Sequence, residues 1–360
     1  LNTRVTFIGE DIWSAQLAEG LNTRARERVT CSAVKLSERS STFKFFKRLL
    51  SDDVIVRVGF PPPVLPRYTG DPRRESRRPR ETLKRLAFGT RLGLLFRKCV
   101  LYRRLDRASR HRFHADLLQR STRWLRPGRR EILYWIGTDV LNALEAVDGP
   151  VPVPHYMERL ARFESITGVD RLTEELQHIG VQATTVPYPP PTIPPVFPAP
   201  MPSRMTVLTY APEARREFYG LPEVMNAARQ LPDVDFLVMG GTEHGLDDVP
   251  ANMSFLGFVE DPSSLYARSS VVVRHVRHDG AGYSMAEGLL HGRQVIYTYD
   301  VPHTICVPFG DTEGLTRVLK ALRGQNASGG IPLNQAGREW ALAEFDPDRR
   351  FQRLLEVLTA

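Results

Sequence analysis

Asp279-Gly280-Ala281-Gly282-Tyr283-Ser284-Met285-Ala286-Glu287-Gly288-Leu289-Leu290-His291-Gly292-Arg293-Gln294-Val295-Ile296 reads as an acid, a small glycine loop, a helix that opens at once and carries a second acid, and then a buried strand. Loop, helix and strand in that order are one step of an α/β alternation. The loop offers unencumbered backbone N–H groups and the opening helix offers its positive end, while the two acids can hold hydroxyl groups on either side. Together they make a seat for a nucleoside diphosphate. Ser284-Met285-Ala286-Glu287 also has capping-box spacing, in which Ser and Glu merely satisfy free N–H groups of the helix. Asp279 and the two intervening glycines weigh toward the nucleotide.

Working outward, the second half of the chain keeps the same alternation. Strands are expected at 205–209, 234–239, 253–258, 270–274, 294–298 and 304–308, and helices at 221–231, 262–268 and 312–322. Before it lies a stretch from Pro187 to Pro202 with nine of the chain's 28 prolines. So few N–H donors cannot join a sheet, and the stretch reads as a stiff linker. The first half gives strands at 4–9, 29–36, 53–58, 132–136, 162–167 and 183–186, with helices at 12–21 and 169–179. Gly9 is not followed by glycines at dinucleotide-fingerprint spacing, so this half carries no NAD signature. Gly137-Thr138-Asp139 stands at the C-terminal end of its strand, where open α/β sheets bind ligands. Asp139 can equally form an Asx turn or cap the helix that follows.

Between Arg67 and Arg130 the chain is dense in Arg and Lys against Asp71, Glu75, Glu81, Asp106 and Asp116. Residues 83–104 mix leucines with basic residues as an amphipathic helix or helix pair would. Two readings stand here, a solvated basic face on a core helix and a surface that meets anionic lipid. The net charge of +8 favours an anionic partner of some kind. Cys31, Cys99 and Cys306 form no C-x-x-C pair, which suggests neither a disulfide framework nor a zinc site. No apolar run approaches the ~20 residues of a membrane span. A cytoplasmic protein is expected, peripheral on the inner face of the membrane if the basic stretch docks there.

These residues resemble a known family. From Asn252 onward the C-terminal half is similar to the nucleotide-sugar-binding domain of GT-B glycosyltransferases of the retaining, family-4 type, whose signature is E-x7-E. Asp279, Gly280, Gly282, Ser284, Glu287, Gly292, Val295 and Ile296 fall in register with it. Asn252-Met253-Ser254-Phe255-Leu256-Gly257-Phe258-Val259 matches the family's strand and turn, and Leu265-Tyr266-Ala267 its small helix. Asp279 replaces the first Glu, Gln294 a usual proline, and Thr138-Asp139 stands where many members place a histidine. The resemblance implies an α/β fold of GT-B type, two Rossmann-like doubly wound domains facing across a cleft. Its parts would be an acceptor domain over 1–186 with a basic insertion at 67–130, a linker over 187–203, a nucleotide-sugar domain over 204–334, and a helical segment over 335–360 crossing back to the first domain.

It also implies roles. Glu287 accepts hydrogen bonds from the ribose hydroxyls, and Asp279 contacts hydroxyls of the donor sugar. Gly280, Ala281 and Gly282, with the helix opening near Ser284, receive the pyrophosphate of a UDP- or GDP-linked sugar. Arg215 and Arg216 would supply fixed cations in place of a metal ion, with His278 and Val259 also on the donor side. As single residues Arg215, Arg216 and His278 are equally well read as surface groups. Asp139 joins the catalytic set, with Gly137 and Thr138 facing the acceptor. The expected activity is transfer of a sugar to an acceptor hydroxyl with retention, on a saccharide or lipid-linked acceptor of an envelope glycan. Neither a cofactor nor nucleic acid is expected. The rivals are another GT-B sugar-nucleotide enzyme, inverting or epimerising, and a non-catalytic binding protein of the same fold.

Overall fold

The computed structural model describes residues 2–9, 13–35, 48, 51–59, 128–148, 156–190 and 198–360. The basic stretch up to residue 127, with its amphipathic segment 83–104, lies outside them, as does the middle of the proline-rich linker, 191–197. The chain divides into two units, Leu1–Tyr188 with Phe351–Ala360, and Pro189–Arg350.

In the first unit β1 (Thr3–Gly9), α1 (Trp13–Arg24), β2 (Val29–Lys35), β3 (Val54–Val58) and β4 (Arg130–Trp135) are followed by α2 (Thr138–Asp148), α3 (Tyr156–Leu160), β5 (Glu164–Thr167), α4 (Asp170–His178) and β6 (Ala183–Thr185). The strands form one parallel sheet in the order β2-β1-β3-β4-β5-β6. Val5, Phe7, Ile8, Ile55, Val56, Ile132 and Leu133 are wholly buried, the near-continuous apolar run of strands covered on both faces. Trp135, Val140, Ala143, Leu172 and Leu176 form the core between β4, α2 and α4. Three charges are buried in this sheet. Glu131 accepts from Arg129 at 3.2 Å and lies 3.5 Å from Arg57, whose guanidinium sits 4.7 Å over the ring of Phe163. Burial pulls Arg57 down from the usual arginine range, and Glu131 opposes it.

The second unit runs β7 (Thr206–Tyr210), a single 3-10 turn (Glu213–Arg215), α5 (Leu221–Gln230), β8 (Asp235–Met239), β9 (Met253–Phe255), α6 (Ser263–Ala267), β10 (Val271–Arg274), α7 (Tyr283–Leu290), β11 (Gln294–Tyr297), β12 (Ile305–Cys306), α8 (Thr312–Gly329) and α9 (Gln335–Glu344). Its parallel sheet has the order β12-β11-β10-β7-β8-β9. Side chains alternate across a strand, and the valines of β10 show it. Val271 and Val273 join one core with Val224, Ala228, Leu315 and Leu319, while Val272 joins a second with Met285, Leu289 and Ala341. A Cβ on Gly288 would stand 2.9 Å from Val272 and 3.0 Å from Val295, so that glycine lets α7 lie directly on the sheet.

The helical pattern over 335–358 resolves into two helices. Asp346 accepts a hydrogen bond from the N–H of Arg349 at 2.7 Å and Pro347 opens α10 (Pro347–Thr359), an N-cap and a first-position proline that start a new helix. Within the first unit, Phe351 occupies the space a side chain on Gly20 would need, with Arg24 stacked on its ring at 4.6 Å, and Arg130 donates to the carbonyl of Val357 at 2.7 Å.

Candidate functional site

The second sheet reverses its order at β7. The chain leaves β7 for β8 on one side and later returns to pair β10 on the other. In open α/β sheets the crevice outside the C-terminal strand ends at such a reversal binds ligands. Two connections meet there, one after β7 and one after β10. The N–H of Arg277 donates to the carbonyl of Phe218 at 2.9 Å, and Gly220 approaches the backbone of His275 so closely that a Cβ would lie 2.4 Å from its carbonyl oxygen.

The loop after β10 runs from His275 to Gly282, and Gly282 is the N-cap of α7 in left-handed conformation, φ 62° and ψ 47°. No side chain caps this helix. Its first N–H groups therefore open onto the loop with the helix's partial positive charge behind them. Glycine is required at 282 twice over, by its φ and because a Cβ would stand 2.8 Å from the hydroxyl of Tyr297. The capping-box alternative is not realised. Ser284 and Glu287 both lie inside the helix, and the Ser284 Oγ is buried without a hydrogen-bond partner.

Glu287 is half-buried and accepts a short hydrogen bond from Tyr266 of α6. Burial raises the Glu287 carboxyl above its ordinary value, against the pull of Tyr266 and of the Arg274 charge. Tyr266 is 1% exposed and stacks on His291, ring centroids 5.3 Å apart. Burial, with Arg293 nearby, lowers His291 to about 4, so the ring beneath Tyr266 is neutral at pH 7.

Asp279 is buried. Its oxygens accept from Nε and Nη2 of Arg274, each at 2.8 Å, from the Tyr297 hydroxyl at 3.1 Å and from the N–H of Gly280 at 2.9 Å. Burial would raise this carboxyl, but the Arg274 pair outweighs it and holds it below the usual range. Arg274 in turn lies 5.0 Å over the ring of Tyr219, on whose other neighbour, Phe218, the Arg215 guanidinium stacks at 3.9 Å. The structure thus brings Asp279, Gly280, Ala281, Gly282, Ser284 and Glu287 into one loop and helix turn, with buried His278 just before and half-buried Arg215 on the adjoining connection. Val259 packs against the core that holds Tyr266, and the turn before it is tied to the end of β8 by the bonds of Gly240 N–H to the Gly257 carbonyl and Gly257 N–H to the Gly241 carbonyl.

Two expected members differ. Arg216 donates to the carbonyls of Thr242 at 2.6 Å and His244 at 2.9 Å, a tie between loops. In the first unit Asp139 accepts from the N–H groups of Ile136, Gly137 and Val140 at 2.8–3.1 Å and is 5% exposed. Backbone donors reach both oxygens, the arrangement of a turn and helix cap. Gly137 and Thr138 complete the same turn, with Gly137 at φ 145°. Sequence reasoning missed Tyr266 and Tyr297 as residues of this site. Only the short Leu265-Tyr266-Ala267 match pointed toward the first of these.

Among the described residues no group of three His, Cys, Asp or Glu is placed to hold a metal ion, and no helix is long and apolar enough to cross a membrane.

No protein-family model and no curated protein matches the sequence. Solved structures do. HepE of Anabaena in complex with UDP-glucose superposes with a TM-score of 0.59 at 12% identity, over 99% of this chain and 100% of its own. Sucrose-phosphate synthase of Thermosynechococcus elongatus gives 0.58 at 14% identity over 99% and 98%. A TarM variant of S. aureus, in complex with fondaparinux, alpha-GlcNAc-glycerol and UDP, gives 0.53 at 12% identity over 65% of this chain, which spans about half of TarM's length, 52%. At these identities the likeness is one of fold, and the fold of this chain, two parallel-sheet units with interleaved helices, is that of the GT-B glycosyltransferases.

Proposed function

We propose that the chain is a retaining glycosyltransferase that takes its sugar from a nucleoside-diphosphate donor and passes it to an acceptor hydroxyl. The observation that carries this reading is the uncapped opening of α7 at left-handed Gly282, set at the reversal point of the sheet with Glu287 on the same helix. The N–H groups of the loop and first turn receive the pyrophosphate, and Glu287 accepts from the ribose hydroxyls. As the glycosidic bond breaks, the leaving diphosphate gains negative charge, so these contacts strengthen toward the transition state. The Arg215 guanidinium on the adjoining connection adds a fixed positive charge.

UDP is the first nucleotide to test, because HepE and TarM were both seen with it; GDP is the second. For the acceptor, a lipid-linked or envelope saccharide is consistent with the glycerol-linked sugar bound by TarM and with the basic stretch before residue 128 as a surface for anionic lipid.

Saturating UDP is expected to stabilise the chain by about 2.7 kcal/mol at a hundredfold excess over Kd, read as a rise in Tm. Incubation with UDP-sugars should release UDP slowly without acceptor. No shift with UDP or GDP, together with no hydrolysis of any nucleotide sugar, would overturn the proposal.

A further inference from the structure

Asp279 heads the signature stretch, yet its carboxylate is already used. A carboxylate offers about four lone-pair positions. Here Oδ1 takes Arg274 Nη2 and the Gly280 N–H, and Oδ2 takes Arg274 Nε and the Tyr297 hydroxyl. The side chains of Arg274 and Asp279 are 11% and 9% exposed, so turning the carboxylate toward a sugar would leave a buried guanidinium without its charge partner. Aspartate suits this pairing. Its short side chain closes a five-residue clasp back onto the last residue of β10, and the intervening loop is pinned at both ends.

The clasp reaches the diphosphate seat through Tyr297. Its hydroxyl donates to Asp279 and is also the atom nearest to the missing Cβ of Gly282, at 2.8 Å. One hydroxyl thus connects the Asp279 carboxylate with the left-handed residue that aims the opening of α7.

Resting on the nucleotide reading above, we propose that Asp279 is a positioning residue: held by Arg274 and Tyr297, it sets the Gly280–Gly282 backbone for a diphosphate and does not itself bind the donor sugar. The hydroxyls of that sugar are then read by other groups.

The test compares affinities for UDP and UDP-glucose in the full chain, by calorimetry, for the wild type, Asp279→Asn, Arg274→Lys and Tyr297→Phe. Asp279→Asn should weaken both ligands by the same factor, roughly ten- to a hundredfold, because a misplaced loop harms the part they share. Arg274→Lys and Tyr297→Phe should follow in the same sense and keep the test open if Asp279→Asn does not fold, since both retain the carboxylate. Unchanged UDP binding in these variants, with a loss confined to UDP-glucose, would show that Asp279 is a sugar ligand and overturn the proposal. A wild type that binds neither ligand would instead remove the nucleotide reading on which it rests.

Discussion

Replacing Glu287 by alanine is expected to abolish measurable hydrolysis of nucleotide sugars and to weaken UDP binding roughly ten- to a hundredfold, the scale of losing hydrogen bonds to a charged acceptor. The chain should remain folded, because two effects of the substitution oppose each other. Burial raises the Glu287 carboxyl, so its favourable contribution to stability is present below the ordinary carboxylate value and is lost as pH rises through the raised one. Once ionised, the side chain is a burden in this buried setting that alanine, a good helix former, relieves. Against this, Tyr266 loses its hydrogen-bond acceptor in a nearly closed environment. Glu287→Gln keeps an acceptor for Tyr266 while removing the charge, and should lose UDP affinity to a similar extent. On the same grounds Tyr266→Phe should shift the acid limb of UDP binding to higher pH, because the tyrosine hydroxyl favours the ionised carboxylate. Full activity of Glu287→Ala in a folded chain would remove Glu287 from the site.

The largest stability loss is expected in the first unit, from Glu131→Ala. Glu131 is wholly buried between Arg57, 1% exposed, and Arg129, 3% exposed. Deleting the carboxylate leaves two like charges close together in the interior of the sheet. Breaking a buried ion pair in this way costs about 3–5 kcal/mol, a large fraction of the roughly 5–15 kcal/mol that holds a domain folded. The transition should move to much lower urea, reported by the fluorescence of Trp135, which is buried on the same strand. A shift within the error of the wild-type midpoint would mean that water or neighbouring side chains take over the role of Glu131.

Much of this fold could be read from the residues because local pattern and tertiary role agree. The valines of β10 and the apolar run of β1 are strand-like in composition and are buried on both faces, so pattern and burial point the same way. The loop at Asp279–Gly282 was legible because glycine at 282 answers to a backbone requirement. What escaped notice depends on pairings distant in sequence. Glu131 with Arg57 unites strands separated by the long basic stretch, and Tyr266 meets Glu287 only because α6 and α7 lie on one face of the second sheet. Asp139 shows the converse case. A capping aspartate and a catalytic one at a strand end look alike in sequence, and the three backbone N–H groups gathered around its oxygens are visible only in the structure. Nor could Ser284 and Glu287 be told from a capping box until Gly282 proved to be the residue before the helix.

The most direct measurement is hydrogen–deuterium exchange of the full chain with and without saturating UDP, followed by mass spectrometry of short peptides. The site predicts slower exchange over residues 280–286, where loop and first-turn N–H groups receive the pyrophosphate, and at a UDP concentration near the wild-type Kd the effect should largely disappear in Glu287→Ala. Protection confined to other segments, or no change at residues 280–286 while UDP demonstrably binds, would contradict it.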